Sequence, residues 1–102
     1  EYLTVGSDMP GPKQLTLFPA FPNPFNSGIN IPLFIPDYIG QDKININIFD
    51  IRGRLVSNIW SGRAMVGHNL FSWSAKNKSS GVYLIELETK NKKLIRKVQL
   101  IK

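Results

Sequence analysis

The chain has 102 residues, the size of one domain, since domains typically span roughly 100–150 residues. Its 42% hydrophobic content, with six Phe, three Tyr and two Trp, is enough to build a core without staples and excludes a disordered tail. The formal charge of +6 is unevenly laid out: residues 1–51 set two Lys against five acids, whereas residues 52–102 set eleven bases against Glu86 and Glu88, so the basic character belongs to the C-terminal half.

Residues 1–12 lack the basic and apolar blocks of a signal peptide and end in Met9-Pro10-Gly11-Pro12. They read as a linker, with the folded domain expected over residues 13–102 and any export signal expected upstream in a longer parent protein. Lys13 to Phe18 make a first strand. In Pro19-Ala20-Phe21-Pro22-Asn23-Pro24-Phe25-Asn26 the prolines remove ladder donors and fix φ, which predicts a rigid extended connector. Ile29, Ile31, Leu33 and Ile35 alternate along a second strand, where Pro32 argues for a sheet edge or a bulge.

Ile44, Ile46 and Ile48 alternate with Asn45 and Asn47 in a third strand. Asp50-Ile51-Arg52-Gly53 has Asp at the first and Gly at the fourth position of a type I turn, so Arg54 to Trp60 is expected to pair back as the fourth strand. Ser61-Gly62 and Gly67 bracket a loop before a fifth strand with Phe71 and Trp73 on one face. Asn77 to Gly81 is a polar turn, Val82 to Glu88 a sixth strand and Leu94 to Ile101 a seventh. Seven short strands with turn signals about every ten residues predict an all-β, immunoglobulin-like antiparallel sandwich. Its expected core includes Ile31, Leu33, Ile46, Ile48, Phe71, Trp73, Tyr83, Ile85, Val98 and Leu100. Tyr83 stands where a tyrosine-corner residue would, its hydroxyl bonded to upstream backbone.

The sequence offers little for catalysis. The one histidine, His68, stands beside Gly67 with no nucleophile in a defined relation to it. Glu86 and Glu88 share a strand face that reads as solvated. Cysteine is absent, which excludes disulfides and thiolate metal sites. Asp37, Asp42 and Asp50 are oxygen donors for calcium but match no ligand spacing. The glycines stand singly, without a phosphate-binding loop. No enzyme activity and no cofactor are expected, and no apolar run approaches the roughly 20 residues needed for membrane insertion. Two features remain for binding. One is the basic run Lys90, Lys92, Lys93, Arg96, Lys97 and Lys102, which lacks the interleaved aromatics of a nucleic-acid platform. The other is the set Tyr38, Trp60, Phe71 and Trp73, which would suit a carbohydrate- or surface-binding accessory module.

Residues 21–26 resemble the "YPNPFNP" opening of the C-terminal sorting domains carried by type IX secretion cargo in bacteria of the Bacteroidetes type. Further similarities follow in the same order. Ile44 to Arg54 is similar to that family's "V-x-L-x-V-Y-D-x-x-G-R" hairpin, Gly67 to Trp73 to its "G-x-x-x-x-x-W" strand, Gly81-Val82-Tyr83 to its "SGVY" motif, and Arg96 to Leu100 to its closing basic strand. Ser27-Gly28 and Ser74-Ala75 depart from the family pattern. The immunoglobulin-like domain of the flagellar hook-capping protein shares much of it.

The resemblance implies a monomeric sorting signal with no nucleic-acid partner. It would direct an upstream parent protein through the periplasm and outer membrane to the cell surface or medium. It implies recognition by the type IX translocon, for which Pro22, Asn23, Pro24, Gly81, Tyr83, Lys92, Lys93, Arg96 and Lys97 are the expected contacts. A surface sortase-like peptidase would then cut within residues 1–12. A seventh strand with an exposed edge and flanking bases suits such a signal.

Overall fold

The structure, a computed structural model, describes residues 14–102. The expected linker over residues 1–12, and Lys13, lie outside the described residues.

Seven strands form two antiparallel sheets, as expected for the immunoglobulin-like sandwich. β1 (Thr16–Leu17), β2 (Gly28–Ile35) and β5 (Gly67–Ser74) make one sheet in the order β1-β2-β5. β3 (Lys43–Asp50), β4 (Leu55–Arg63), β6 (Gly81–Glu88) and β7 (Lys93–Leu100) make the other in the order β4-β3-β6-β7. A short 3-10 turn, Asp37–Ile39, carries the chain from the first sheet to the second.

Period-two alternation builds the core. Ile29, Ile31, Leu33 and Ile35 of β2 face Ile44, Ile46 and Ile48 of β3 and Ile85 and Leu87 of β6, and all are buried. Fully burying such a side chain is worth roughly 1.5–3 kcal/mol, so the inward faces of these three strands contribute heavily to holding the sheets together. Among the residues expected in the core, only Phe71 falls short of full burial. It lies on β5, an edge strand, and its ring packs 5.6 Å from that of Trp60 on β4, the edge strand of the other sheet. The sandwich closes on that side by this aromatic pair. On the opposite side Arg96 Nε of β7 donates to the Leu17 carbonyl of β1 at 2.8 Å.

Three local expectations are corrected. The first strand is two residues long, although the Phe18 N–H still donates to the Pro32 carbonyl at 3.0 Å. Pro32 lies in the middle strand of its sheet without a bulge, paired with Leu70. It is tolerated because its ring nitrogen faces the β1 side, where its carbonyl takes the one bond made, from the Phe18 N–H, and the pairing with β5 needs no donor from it. Ser61 and Gly62 belong to β4, where Gly62 pairs with Ile44, so the loop they were expected to open begins only at Ala64. Gly62 reads as a breaker but has φ +142° inside the ladder.

The Asp50–Gly53 turn forms as expected. The Gly53 N–H donates to the Asp50 carbonyl at 3.0 Å. Gly53 takes φ +84°, the left-handed conformation that completes a three-residue hairpin loop.

Candidate functional site

The strand directions sort the loops into two ends. Residues 22–27, 51–54 and 75–80 lie at one end of the sandwich, and residues 36–42, 64–66 and 89–92 at the other, while residues 18–21 run along β2 towards the first end. The chain enters β1 at the second end, because Thr16 pairs with Phe34 near the close of β2.

The first end gathers the sequence motifs. Phe25 is buried and packs 5.9 Å from the Trp73 ring, which in turn meets the Tyr83 ring edge-on at 5.3 Å. The Tyr83 hydroxyl donates to the Ser79 carbonyl at 2.6 Å, the tyrosine-corner bond expected from the sequence. Gly81 opens β6 opposite Leu100 with φ +156°, a conformation that L side chains rarely adopt. Ala75, the second residue of the Ser74-Ala75 pair that departs from the expected pattern, is fully buried, and its N–H donates to the Ser27 carbonyl at 2.7 Å. The turn continues with Lys78 N–H bonded to the Ala75 carbonyl at 3.0 Å, so the departure is accommodated in a closed turn.

The Pro-rich connector runs along β7. The Phe25 N–H donates to the Gln99 carbonyl at 2.9 Å and the Ile101 N–H donates to the Phe25 carbonyl at 2.8 Å. The Asn23 side chain extends this pairing, with Oδ1 accepting from the Gln99 N–H at 3.0 Å and Nδ2 donating to the Lys97 carbonyl at 3.4 Å. Pro22 and Pro24, both preceded by cis peptide bonds, flank that asparagine and are exposed. β7 is an edge strand, but its border is exposed only in its first half. From Lys97 onward the connector covers it.

The nine expected recognition residues therefore do not form one surface. Pro22, Asn23, Pro24, Gly81, Tyr83 and Lys97 lie at the motif end, where Asn23, Val82, Lys97 and Gln99 line a common depression. Lys92 and Lys93 lie at the other end, since the eight residues of β7 span about 23 Å at about 3.3 Å per residue. Arg96 has the inward parity of Leu94, Val98 and Leu100, and it reaches the β1 backbone instead of joining the lysines. Lys93 pairs with Glu88 at 3.7 Å. Tyr83 is buried, so its hydroxyl holds the turn and its ring is not a contact surface.

The sequence reading did not single out the bases of the motif-end loops. Arg52 and Arg54 on the β3–β4 hairpin and Lys76 and Lys78 on the β5–β6 turn join Lys97 and Lys102 there, and among the described residues Asp50 is the acid on these turns. The charge count of residues 52–102 contains this signal, but only the topology brings the four loop residues together. Asp50 accepts from the Arg54 and Arg52 N–H groups, both at 2.9 Å, and from Arg54 Nε at 2.9 Å. These bonds, led by that from the Arg54 backbone, hold its carboxyl below the usual value of 3.8. Beside it the two turns enclose an open cleft of about 390 Å³, bordered by Ile51, Arg52, Ser79, Ser80, Gly81 and Val82 among others.

The other candidates do not assemble. Tyr38 stands exposed on the 3-10 turn and Trp73 is buried with Phe25 and Tyr83, so of the four aromatics only Trp60 and Phe71 touch. His68 is exposed, with its ring 5.1 Å from Phe34 and 6.0 Å from Phe18. Asp37 and Asp42 lie at the opposite end from Asp50, and among the described residues no group of three or more His, Asp or Glu stands close enough to hold a metal ion. No helix among them is long and apolar enough to cross a membrane.

None of the curated proteins matches the chain. A family model described as the secretion system C-terminal sorting domain matches residues 19–102, beginning at the Pro-rich connector and running through all the motifs gathered at one end of the sandwich. The chain thus belongs to the family of secretion system C-terminal sorting domains, the type IX signals that send proteins to the cell surface or medium.

Proposed function

We propose that this domain, covering residues 13–102 after a linker over residues 1–12, is a folded address. It takes a parent protein joined on its N-terminal side from the periplasm through the type IX translocon. The observation that carries this reading is the convergence of motifs far apart in sequence, Phe21 to Asn26, Asp50 to Arg54 and Gly81 to Tyr83, at the end opposite the entry of the chain. A receptor meeting that end reads the same surface whatever protein is attached to the other.

In this reading Pro22, Asn23, Pro24 and Lys97 face the translocon, while Gly81 and Tyr83 shape the turn beside them. Lys92 and Lys93 lie near the junction with the parent, on the side where a surface sortase-like peptidase would cut the linker. Arg96 contributes by tying β7 to β1. The domain acts as a monomer without a cofactor and performs no chemistry itself.

The test is a reporter with a signal peptide and this chain at its C-terminus, expressed in a host with the type IX apparatus. The reporter is expected on the surface or in the medium, and removal of Lys93–Leu100 is expected to hold it in the periplasm. Retention of the intact fusion, or export of the reporter without this chain, would overturn the proposal.

A further inference from the structure

We infer that the motif end docks an acidic protein segment carrying at least one apolar side chain, and that Arg52, Lys76 and Lys78 bind it together with Lys97. This deepens the proposed sorting function and rests on it.

Charge is the first ground. Among the described residues the motif end presents Arg52, Arg54, Lys76, Lys78, Lys97 and Lys102 against Asp50, which is occupied by Arg54 and the turn backbone, and Glu86, which lies on β6 diagonally from Lys97. The opposite end mixes Lys43, Arg63, Lys90, Lys92 and Lys93 with Asp37, Asp42 and Glu88. The field therefore favours an anionic partner at one end of the molecule.

Shape is the second ground. Arg52 and Arg54 border the cleft of about 390 Å³ between the two turns, with Ile51 at its rim and 67% exposed; Lys78 borders an adjoining cleft that shares Asp50, Arg54, Ser79 and Tyr83 with it, and Lys97 a depression that shares Val82. Ser79, Ser80 and Gly81 offer backbone and hydroxyl groups along one wall. A planar anionic lipid surface would touch the tips of the turns and leave the cleft unfilled. A polypeptide loop places carboxylates on the bases and an apolar side chain against Ile51 and Val82, the usual division between a polar rim and an apolar centre.

The bases have different duties. Arg54 is paired with Asp50 at 2.9 Å, and Lys102 Nζ donates to the Lys76 carbonyl at 2.6 Å, so both also hold the fold. No hydrogen bond or ion pair from the side chains of Arg52, Lys76, Lys78 and Lys97 to another described residue is seen, which leaves these four for a partner.

The experiment compares two variants of the exported reporter fusion with equal charge loss. One changes Arg52, Lys76, Lys78 and Lys97 to Gln; the other changes Lys43, Arg63, Lys90 and Lys92 to Gln. Urea midpoints of the purified chains establish that both fold. The motif-end variant is expected to lose export at least about tenfold, the equivalent of roughly 1.4 kcal/mol, with the opposite-end variant within about twofold of the parent sequence. A third variant that exchanges Arg and Lys at the same four motif-end positions is expected to export normally.

Equal export of the first two variants, with the intact fusion still exported, would overturn the inference while leaving the sorting function in place. Retention of the intact fusion would remove both. Purified chain is also mixed with vesicles of phosphatidylglycerol and phosphatidylcholine. Binding that the motif-end variant loses and the opposite-end variant keeps would assign the bases to a membrane and overturn the protein partner.

Discussion

The hydroxyl of Tyr83 bonds the carbonyl of Ser79 at 2.6 Å, four residues upstream, while its ring fills the space beside Trp73. One side chain thereby fixes a turn and completes a core. Tyr83→Phe keeps the ring and removes the bond, so it is expected to cost about 1 kcal/mol in a urea melt, the usual net worth of a hydrogen bond. An unchanged midpoint would mean that water replaces the hydroxyl without loss.

Trp73 is the larger determinant. It is buried between Phe25 and Tyr83, and Trp73→Ala is expected to cost roughly 3–5 kcal/mol. Denaturant melts decide this, and a loss below about 1 kcal/mol would contradict its burial.

At the lateral seam the Trp60 and Phe71 rings stand 5.6 Å apart at 46°. A double-mutant cycle with Trp60→Ala and Phe71→Ala is expected to give a coupling of about 1 kcal/mol, the range found for tilted aromatic pairs. Strictly additive single losses would show that each ring packs on its own sheet alone.

Asp50 makes stability depend on pH in a defined direction. Its carboxyl titrates lower in the folded chain than the unperturbed 3.8, chiefly because the Arg54 N–H bonds the ionised form. Its contribution is therefore present in full above the unfolded value and is lost as pH falls through the folded one. Urea midpoints of the parent chain and Asp50→Asn are expected to differ by a constant amount from pH 5 to 7. The gap should close progressively below pH 3.8. A gap that persists undiminished at pH 2 would show that it does not come from the ionisation of Asp50.

Much of the fold was legible because burial imposes a period of two. The Ile residues of the second and third strands announce their inward face, and Asp50 and Gly53 announce the turn between the third and fourth. Tyr83 was legible by its position after a polar turn. Gly62 was misread because a glycine inside a ladder has no local mark to distinguish it from one in a loop. The site was less legible, since its key contacts join residues far apart in the chain, such as Asn23 and Gln99, with no local pattern to announce them. Arg96 could have been placed: it shares parity with Val98 and Leu100, which makes it an inward residue and separates it from Lys93 and Lys97.

The amide of Asn23 imitates a peptide group on the rim of the second sheet, offering one acceptor and one donor where a further strand would otherwise attach. An uncovered rim of that kind is a template on which copies of a protein join edge to edge. Closing the rim with a side chain removes the template without adding a strand. Because an amide does not titrate, the closure holds in acidic and neutral surroundings alike. The stretch it leaves open, Lys93 to Ile95, begins with a lysine, which discourages pairing by charge. The connector thus doubles as a guard against polymerisation.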